Sequence, residues 1–312
     1  MRKTINKLFL IITVISALLL TTGCDLFIKT NKGQVDQKWY MGLTYEDDNG
    51  NDTDYTIGTD GTIAAVALED GYGDEFGIIK GEEAYLNINT IIKNIDKRFY
   101  VDATNNLVMF TDATKTYKTK IGGKTINETE NTDYVISFMD GKNCYVNVKF
   151  VKKYVDFDYK VVKAEGKSPA RIVLKYTSGE KNQMTVKSNI EMRTKADYQN
   201  LIVTTLKKNT KVTVLEESGD WTKVGTDDGF MGYVPAKKLK DKETKKTEFK
   251  SDADTYTHVL MNKKISLGWN AITNLTANGN LETIIEHTKG LNVISPTWYS
   301  LSDNKGNLRS YA

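Results

Sequence analysis

From residue 39 onward, short apolar runs alternate with polar punctuation, and the chain opens differently. Residues 8–20 (LFLIITVISALLL) are uncharged and apolar, behind Arg2, Lys3 and Lys7. The run falls short of the roughly 20 residues that a bilayer-spanning helix needs. A short apolar core behind cations and ahead of small residues is an export-signal pattern. Residues 25–38 read as a polar tether. Residues 39–79 are rich in Gly, Asp and Thr around the runs IAAVAL and FGII, which predicts strands and turns.

An internal repeat follows. EEAYLNINTIIKNID at 82–96 matches KNCYVNVKFVKKYVD at 142–156, an offset of 60 residues. Tyr85, Leu86, Asn87 and Ile88 align with Tyr145, Val146, Asn147 and Val148. Each unit predicts a strand, a short helix and then a strand pair (FYVDATNNLVMF; YKVVKAEGKSPARIVLKY). Asn105-Asn106 and residues 166–169 supply the turns. Residues 183–240 predict further short alternating strands, with Val212, Val214, Leu215, Val224 and Val234 facing inward. Gly232, before Tyr233, marks a close approach of two backbones. Residues 241–255 lack apolar periodicity and read as a charged linker. Last, KISLGWN, LETIIEHTK and GLNVISPTWYSL predict a buried strand, an amphipathic helix and a second buried strand, a unit of parallel sheet.

Charge changes the picture once the signal is set aside. The whole chain carries a formal +3, but residues 1–23 hold three cations and no acid, so the remainder balances at 40 against 40. A neutral body argues against a polyanion-binding protein, and no nucleic-acid module is present. Cys144 has no disulfide partner within the body and reads as a small buried hydrophobe. Two histidines, His258 and His287, leave little scope for a histidine-based metal site, and no metal or other cofactor is expected. Asp47, Asn49, Asn51 and Asp52 follow the spacing of a calcium loop, but Asp52 stands at its glycine position and Gly58 at its glutamate position. An acidic hairpin tip is expected there instead.

Four resemblances add to this reading. Gly23-Cys24 resembles the lipobox of bacterial lipoproteins, with Thr21 where an aliphatic residue is usual and Leu20 one place earlier. It implies a diacylglycerol on Cys24, cleavage just before it, and anchoring at the extracytoplasmic face of the cell membrane without a spanning helix. The alternative is an ordinary secretory signal. Residues 78–176 resemble, in pattern, the copper amine oxidase N-terminal-like domain, a non-catalytic α+β module of bacterial surface proteins; the name implies no copper. NIEMRTKAD, LIVTTLKKNTKVTVLEESGDWTKV and GFMGYVPAKKL resemble the bacterial SH3 domain, which implies binding to cell-wall peptides. Trp221, Phe230 and Tyr233 either line a peptide groove there or pack in the core. ISLGWN at 265–270 and LNVISPTWY at 291–299 resemble the opening of a glycoside hydrolase family 18 barrel, of the chitinase-like branch found among spore and cell-wall enzymes. Trp269, Trp298 and Tyr299 either stack on sugar rings or pack.

The expected architecture is multidomain, mainly β and α+β: a small α+β repeat domain, an SH3-like β-barrel, then an incomplete (β/α)8 barrel fragment. The boundaries are 1–23 signal, 24–38 lipidated cysteine and tether, 39–180 repeat domain, 183–240 bacterial SH3 domain, 241–255 linker and 256–312 family 18 start. A full barrel takes roughly 250 residues, and the acidic D-x-x-D-x-D-x-E run of family 18 is absent, so no catalytic residue is assigned. The expected function is a membrane-anchored protein that binds or targets peptidoglycan or a related glycan, as the non-catalytic front of a family 18-like protein. The alternative is a hydrolase of N-acetylglucosamine linkages in chitin or peptidoglycan, if the gene continues past Ala312.

Overall fold

The computed structural model describes residues 30–250 and 262–312, so Cys24 and the signal segment lie outside the described residues. The chain divides into two compact units, residues 1–254 and 255–312.

The first unit opens with a helical turn, Gln37–Tyr40, capped by Asp36, whose carboxylate accepts from the backbone N–H of Lys38 and Trp39. A hairpin follows, β1 (Thr44–Glu46) with β2 (Asp52–Asp54). Its tip is the acidic turn expected from the sequence: Asp47 accepts from the backbone N–H of Asn49 and Asn51. Those contacts hold its carboxyl below the usual range, the Asn51 backbone N–H contributing most.

The repeat then builds the first large sheet. β3 (Thr62–Ala67) and β4 (Gly77–Lys80) lead into β5 (Glu83–Asn87), a helical turn at Ile88–Thr90 and a wider turn at Ile91–Ile95. β6 (Phe99–Asp102), β7 (Leu107–Thr111) and β8 (Thr116–Lys120) form a three-stranded sheet. After a two-residue ladder of β9 (Thr125–Ile126) and β10 (Glu130–Asn131) the second repeat begins. It runs β11 (Ser137–Asp140), β12 (Asn143–Asn147), a helix at Val148–Tyr154, β13 (Asp158–Val162) and β14 (Ala170–Lys175). The order is β11-β12-β5-β4-β3-β14-β13, antiparallel except where β14 runs parallel to β3.

The two repeats meet through their own equivalent strands, with Val146 opposite Leu86 and Asn147 opposite Tyr85. The aligned asparagines do the same work in both. Asn87 accepts from Asn89 N and Asn147 from Lys149 N, each starting the helical segment that follows.

The second large sheet contains β15 (Gly179–Val186), β16 (Ile190–Arg193), β17 (Ile202–Leu206), β18 (Lys211–Ser218), β19 (Trp221–Gly225), β20 (Met231–Pro235) and β21 (Leu239–Thr247). All its pairs are antiparallel, in the order β17-β16-β20-β19-β18-β15-β21. Val212, Val224 and Val234 are buried as the alternation predicts. Val214 and Leu215 are half-buried, because the register shifts between Val214 and Glu216.

Two expectations are corrected in this unit. Residues 239–247 are a strand, where the sequence suggests a spacer from 241. Leu239 anchors it in the core, and backbone pairing with β15 carries it onward without further apolar residues. The regions read as separate domains also share a core. One apolar cluster joins Ile78, Tyr85 and Tyr145 of the first sheet to Met192, Val203 and Val234 of the second. The opposite face of the first sheet packs on the helical segments and on β6 to β8. That two-sided burial is why β3 reads IAAVA without polar interruption.

The second unit contains β22 (Leu267–Asn270) and β23 (Val293–Pro296), paired in parallel through two short helices, Leu275–Gly279 and Leu281–Glu286. β24 (Tyr299–Leu301) and β25 (Leu308–Ser310) form a hairpin. This is one strand–helix–strand step, an arrangement common to many α/β folds, and an incomplete barrel is not apparent from it. The strands are not buried as expected, since Leu267 is 48 % and Trp269 82 % exposed. Two strands and two short helices supply too little apolar surface to cover both faces of a parallel pair.

Candidate binding site

The groove expected around Trp221, Phe230 and Tyr233 is only partly assembled. Trp221 opens β19, half-buried, with its ring edge-on to Tyr198 at 4.8 Å between centroids. Tyr233, also half-buried, sits on β20 opposite Lys223 and Arg193. Phe230 belongs elsewhere. It is buried beneath the Arg171 guanidinium, 4.3 Å from the ring centroid, at the junction with β14. The first sheet covers this ring, so it is removed from any groove.

Arg193 organises the face that remains. Buried to 1 % exposure, it donates to Asn200 O at 2.6 Å and Asn31 O at 2.9 Å, and pairs with Glu191. Its guanidinium lies 5.9 Å from the Tyr198 ring. One arginine thereby fixes both the loop carrying Tyr198 and the segment before the first helical turn. That segment corrects the tether expected at 25–38 for its residues 31–35, while residues 25–29 lie outside the described residues. Asn31 N donates to Tyr198 O, Ile202 N to Gly33 O and Val35 N to Ile202 O, each at 2.9 Å. Residues 31–35 therefore line the free side of β17 in parallel, Gln34 opposite Ile202, with Val35 buried. An edge strand's unpaired backbone groups are satisfied by the chain itself.

Tyrosines tie the face to the junction. Tyr40 donates to Met231 O at 3.1 Å, and Tyr72 to Gly229 O at 3.0 Å. Burial, with the nearby Tyr233, pushes the Tyr40 hydroxyl up to about 12. Both phenols thus remain protonated donors at neutral pH. Gly229 (φ +86°) lies against Val173 and Ala67, where a side chain has no room.

Signals that sequence reasoning missed are aromatic, and several are exposed. Trp39 is 56 % exposed, and Tyr45 on β1 and Tyr55 just after β2 meet with tilted rings at 5.0 Å between centroids. Tyr198 lies in a polar loop (TKADYQN) with no periodicity to mark it. In the second unit, Trp298 is half-buried and its Nε1 donates to Asn278 Oδ1 at 2.7 Å. Trp269 and Tyr299 are exposed. Cys144 is buried with a free thiol, which burial pushes up to about 11. Among the described residues no three His, Cys, Asp or Glu side chains are grouped to hold a metal ion.

Chemically, the face offers three half-buried flat rings, Trp221, Tyr198 and Tyr233, which suit contact with small or apolar side chains of a peptide. No curated protein and no solved structure matches the chain. The family model of the bacterial SH3 domain matches residues 188–240, so the stretch from β16 to β20 carries a bacterial SH3 domain.

Proposed function

We propose that this protein binds the cell wall from an anchored position outside the membrane, recognising peptidoglycan or a closely related glycopeptide. The observation that carries the reading is the bacterial SH3 domain at 188–240, a domain commonly involved in wall binding. The half-buried rings of Trp221, Tyr198 and Tyr233 support it as the contact surface. The repeat lobe fits a supporting role, since it shares its core with the SH3 domain. Its resemblance to the copper amine oxidase N-terminal-like module points the same way, toward a non-catalytic surface protein. The Gly23-Cys24 pattern motivates anchoring through Cys24. The strings ISLGWN and LNVISPTWY, with the parallel β22–β23 pair, motivate the finer reading of a targeting region allied to family 18 glycosidases. Trp269, Trp298 and Tyr299 are then its sugar-facing candidates.

The test is retention of the purified chain, with Cys24 replaced by serine, on isolated peptidoglycan sacculi. Retention that falls at least fivefold in Trp221→Ala is expected. Passage of the unsubstituted protein straight through the sacculi rejects wall binding. For the anchor, radiolabelled palmitate is expected in the wild-type protein and not in Cys24→Ala, which is released to the medium.

A further inference from the structure

The junction between the SH3 sheet and β14 contains a cleft of about 340 Å³ that the aromatic face does not use. Its size falls at the lower end of ligand sites, which run roughly 300–1,000 Å³. The floor is aliphatic: Leu68, Val173, Leu215 and Met231. Val173, Met231 and Leu215 form a small apolar cluster of their own, apart from the two main cores. The rim is charged. Lys175 pairs with Asp227 at 2.9 Å and Lys181 with Glu69 at 2.8 Å, and Lys246 pairs with Glu248. Lys245 also lines the cleft and makes no ion pair with a described residue. Lys160, on the adjacent β13, is likewise without one, and both act on Asp227 together with Lys175. The Lys175 contact, most of all, holds the Asp227 carboxyl below the usual range against the opposing effect of burial.

Asp158 also lines the cleft and pairs with Lys152 at 3.1 Å, so each of the four carboxylates there has a lysine partner, and Lys160 and Lys245 are the ammonium groups left over beside the apolar floor. Among the described residues no aromatic ring lines the cleft, so a sugar finds no stacking platform in them. A polyphosphate has no use for four aliphatic side chains. The combination fits methyl-sized side chains below and carboxylates at the rim.

We propose that this cleft is a second binding site, for a short peptide with small apolar side chains and free carboxylates, held at the rim by Lys160, Lys175 and Lys245. It rests on the wall-binding reading and deepens it, since the stem peptides of peptidoglycan have this chemistry. The SH3 face and the cleft then engage two parts of one polymer, which raises avidity without a second molecule.

The test titrates the full mature chain, carrying Cys24→Ser, with the synthetic peptide Ala-Glu-Lys-Ala by calorimetry at low salt, beside the sacculus assay. Lys160→Gln/Lys245→Gln is expected to weaken peptide binding at least tenfold, and both side chains are exposed, so the fold is retained. Asp227→Asn is expected to tighten binding severalfold, an effect that misfolding does not produce. Amidating the peptide's C-terminus is expected to weaken binding. Equal affinity in the double lysine variant overturns the proposal. So does retention on sacculi without measurable peptide binding, which leaves the wall reading standing. Loss of both sacculus and peptide binding by the unsubstituted protein removes the two together.

Discussion

A Cβ placed on Gly232 lies 2.6 Å from the carbonyl oxygen of Arg193 and 2.7 Å from Met192 Cγ. Arg193 stands across the ladder from Tyr233, so β16 and β20 close on each other where one of them has no side chain. Gly232→Ala is expected to destabilise the protein by about 1–3 kcal/mol through overpacking. Gly225→Ala is the comparison, because a Cβ there meets Leu215 and Met231 only at ordinary contact distance. Urea midpoints are expected to fall for Gly232→Ala and to change much less for Gly225→Ala. Equal losses at the two sites contradict the close approach.

Asn147 presents its two amide ends to different partners. Its Oδ1 accepts from Lys149 N at 2.8 Å, and its Nδ2 donates to Glu83 Oε2 at 2.9 Å. Asn147→Ala removes a cap, for about 1 kcal/mol, and strips a partner from Glu83. Aspartate caps an exposed helix as well as asparagine does, but here it sets a second carboxylate against Glu83. Asn147→Asp is therefore expected to be at least as damaging as Asn147→Ala at neutral pH, in urea denaturation. A harmless Asn147→Asp counts against the Glu83 contact.

These two sites show what the sequence pattern makes legible. Gly232 stands out in FMGYVP because a glycine inside an apolar alternation needs a packing reason. Asn147 stands out because Asn87 occupies the same place in the repeat. Phe230 is legible as apolar but not as a junction residue, since its partner Arg171 is far away in the chain and charged. Residues 31–35 and β21 escape for a common reason. Their pairing rests on backbone groups, with one buried apolar residue each, Val35 and Leu239, and hydrophobic periodicity does not register that. Tyr198 is positioned by Arg193 and by Trp221, contacts that only the folded barrel creates.

Glu69 gives the fold an acid-sensitive joint. Burial raises its carboxyl, but hydrogen bonds from Lys181 and Thr177 and from the backbone N–H of Thr177 and Tyr176 outweigh that and leave it below the usual carboxylate range. A depressed carboxyl stabilises the fold fully above its unfolded value and loses that contribution as pH falls through the folded one. Glu69→Gln is expected to cost about 1–3 kcal/mol at pH 7, the worth of a hydrogen-bonded charge. The gap to wild type is expected to close toward pH 3 in thermal melts. A gap that stays constant with pH contradicts the assignment.

The second unit is expected to be the first part of the chain to yield to protease. Its strands expose Leu267 and Trp269, and its helix Leu281–Glu286 exposes Ile284 and Ile285. Few buried apolar contacts mean a low local free energy of opening. Limited trypsin digestion followed by mass spectrometry is expected to show cleavage at Lys289 before any site within 30–250. Survival of 262–312 alongside a cut first unit contradicts this.

The shared core makes the SH3 domain a dependent one. Phe230 lies under Arg171, whose guanidinium also donates to Asp228 O at 2.6 Å and Pro169 O at 2.7 Å. Tyr40 and Tyr72 add two hydroxyl bonds to the same corner. Residues 179–248 expressed alone leave Phe230 and Met231 uncovered, losing a buried aromatic contact worth about 3–5 kcal/mol by large-to-small substitution. In the full chain, Phe230→Ala is expected to lower hydrogen-exchange protection in β5 and β12 as well as in β19 and β20, because one cooperative unit spans both sheets. Loss confined to β19 and β20, with β5 and β12 unchanged, means that the two sheets unfold separately and that the junction is a contact between domains instead of a common core.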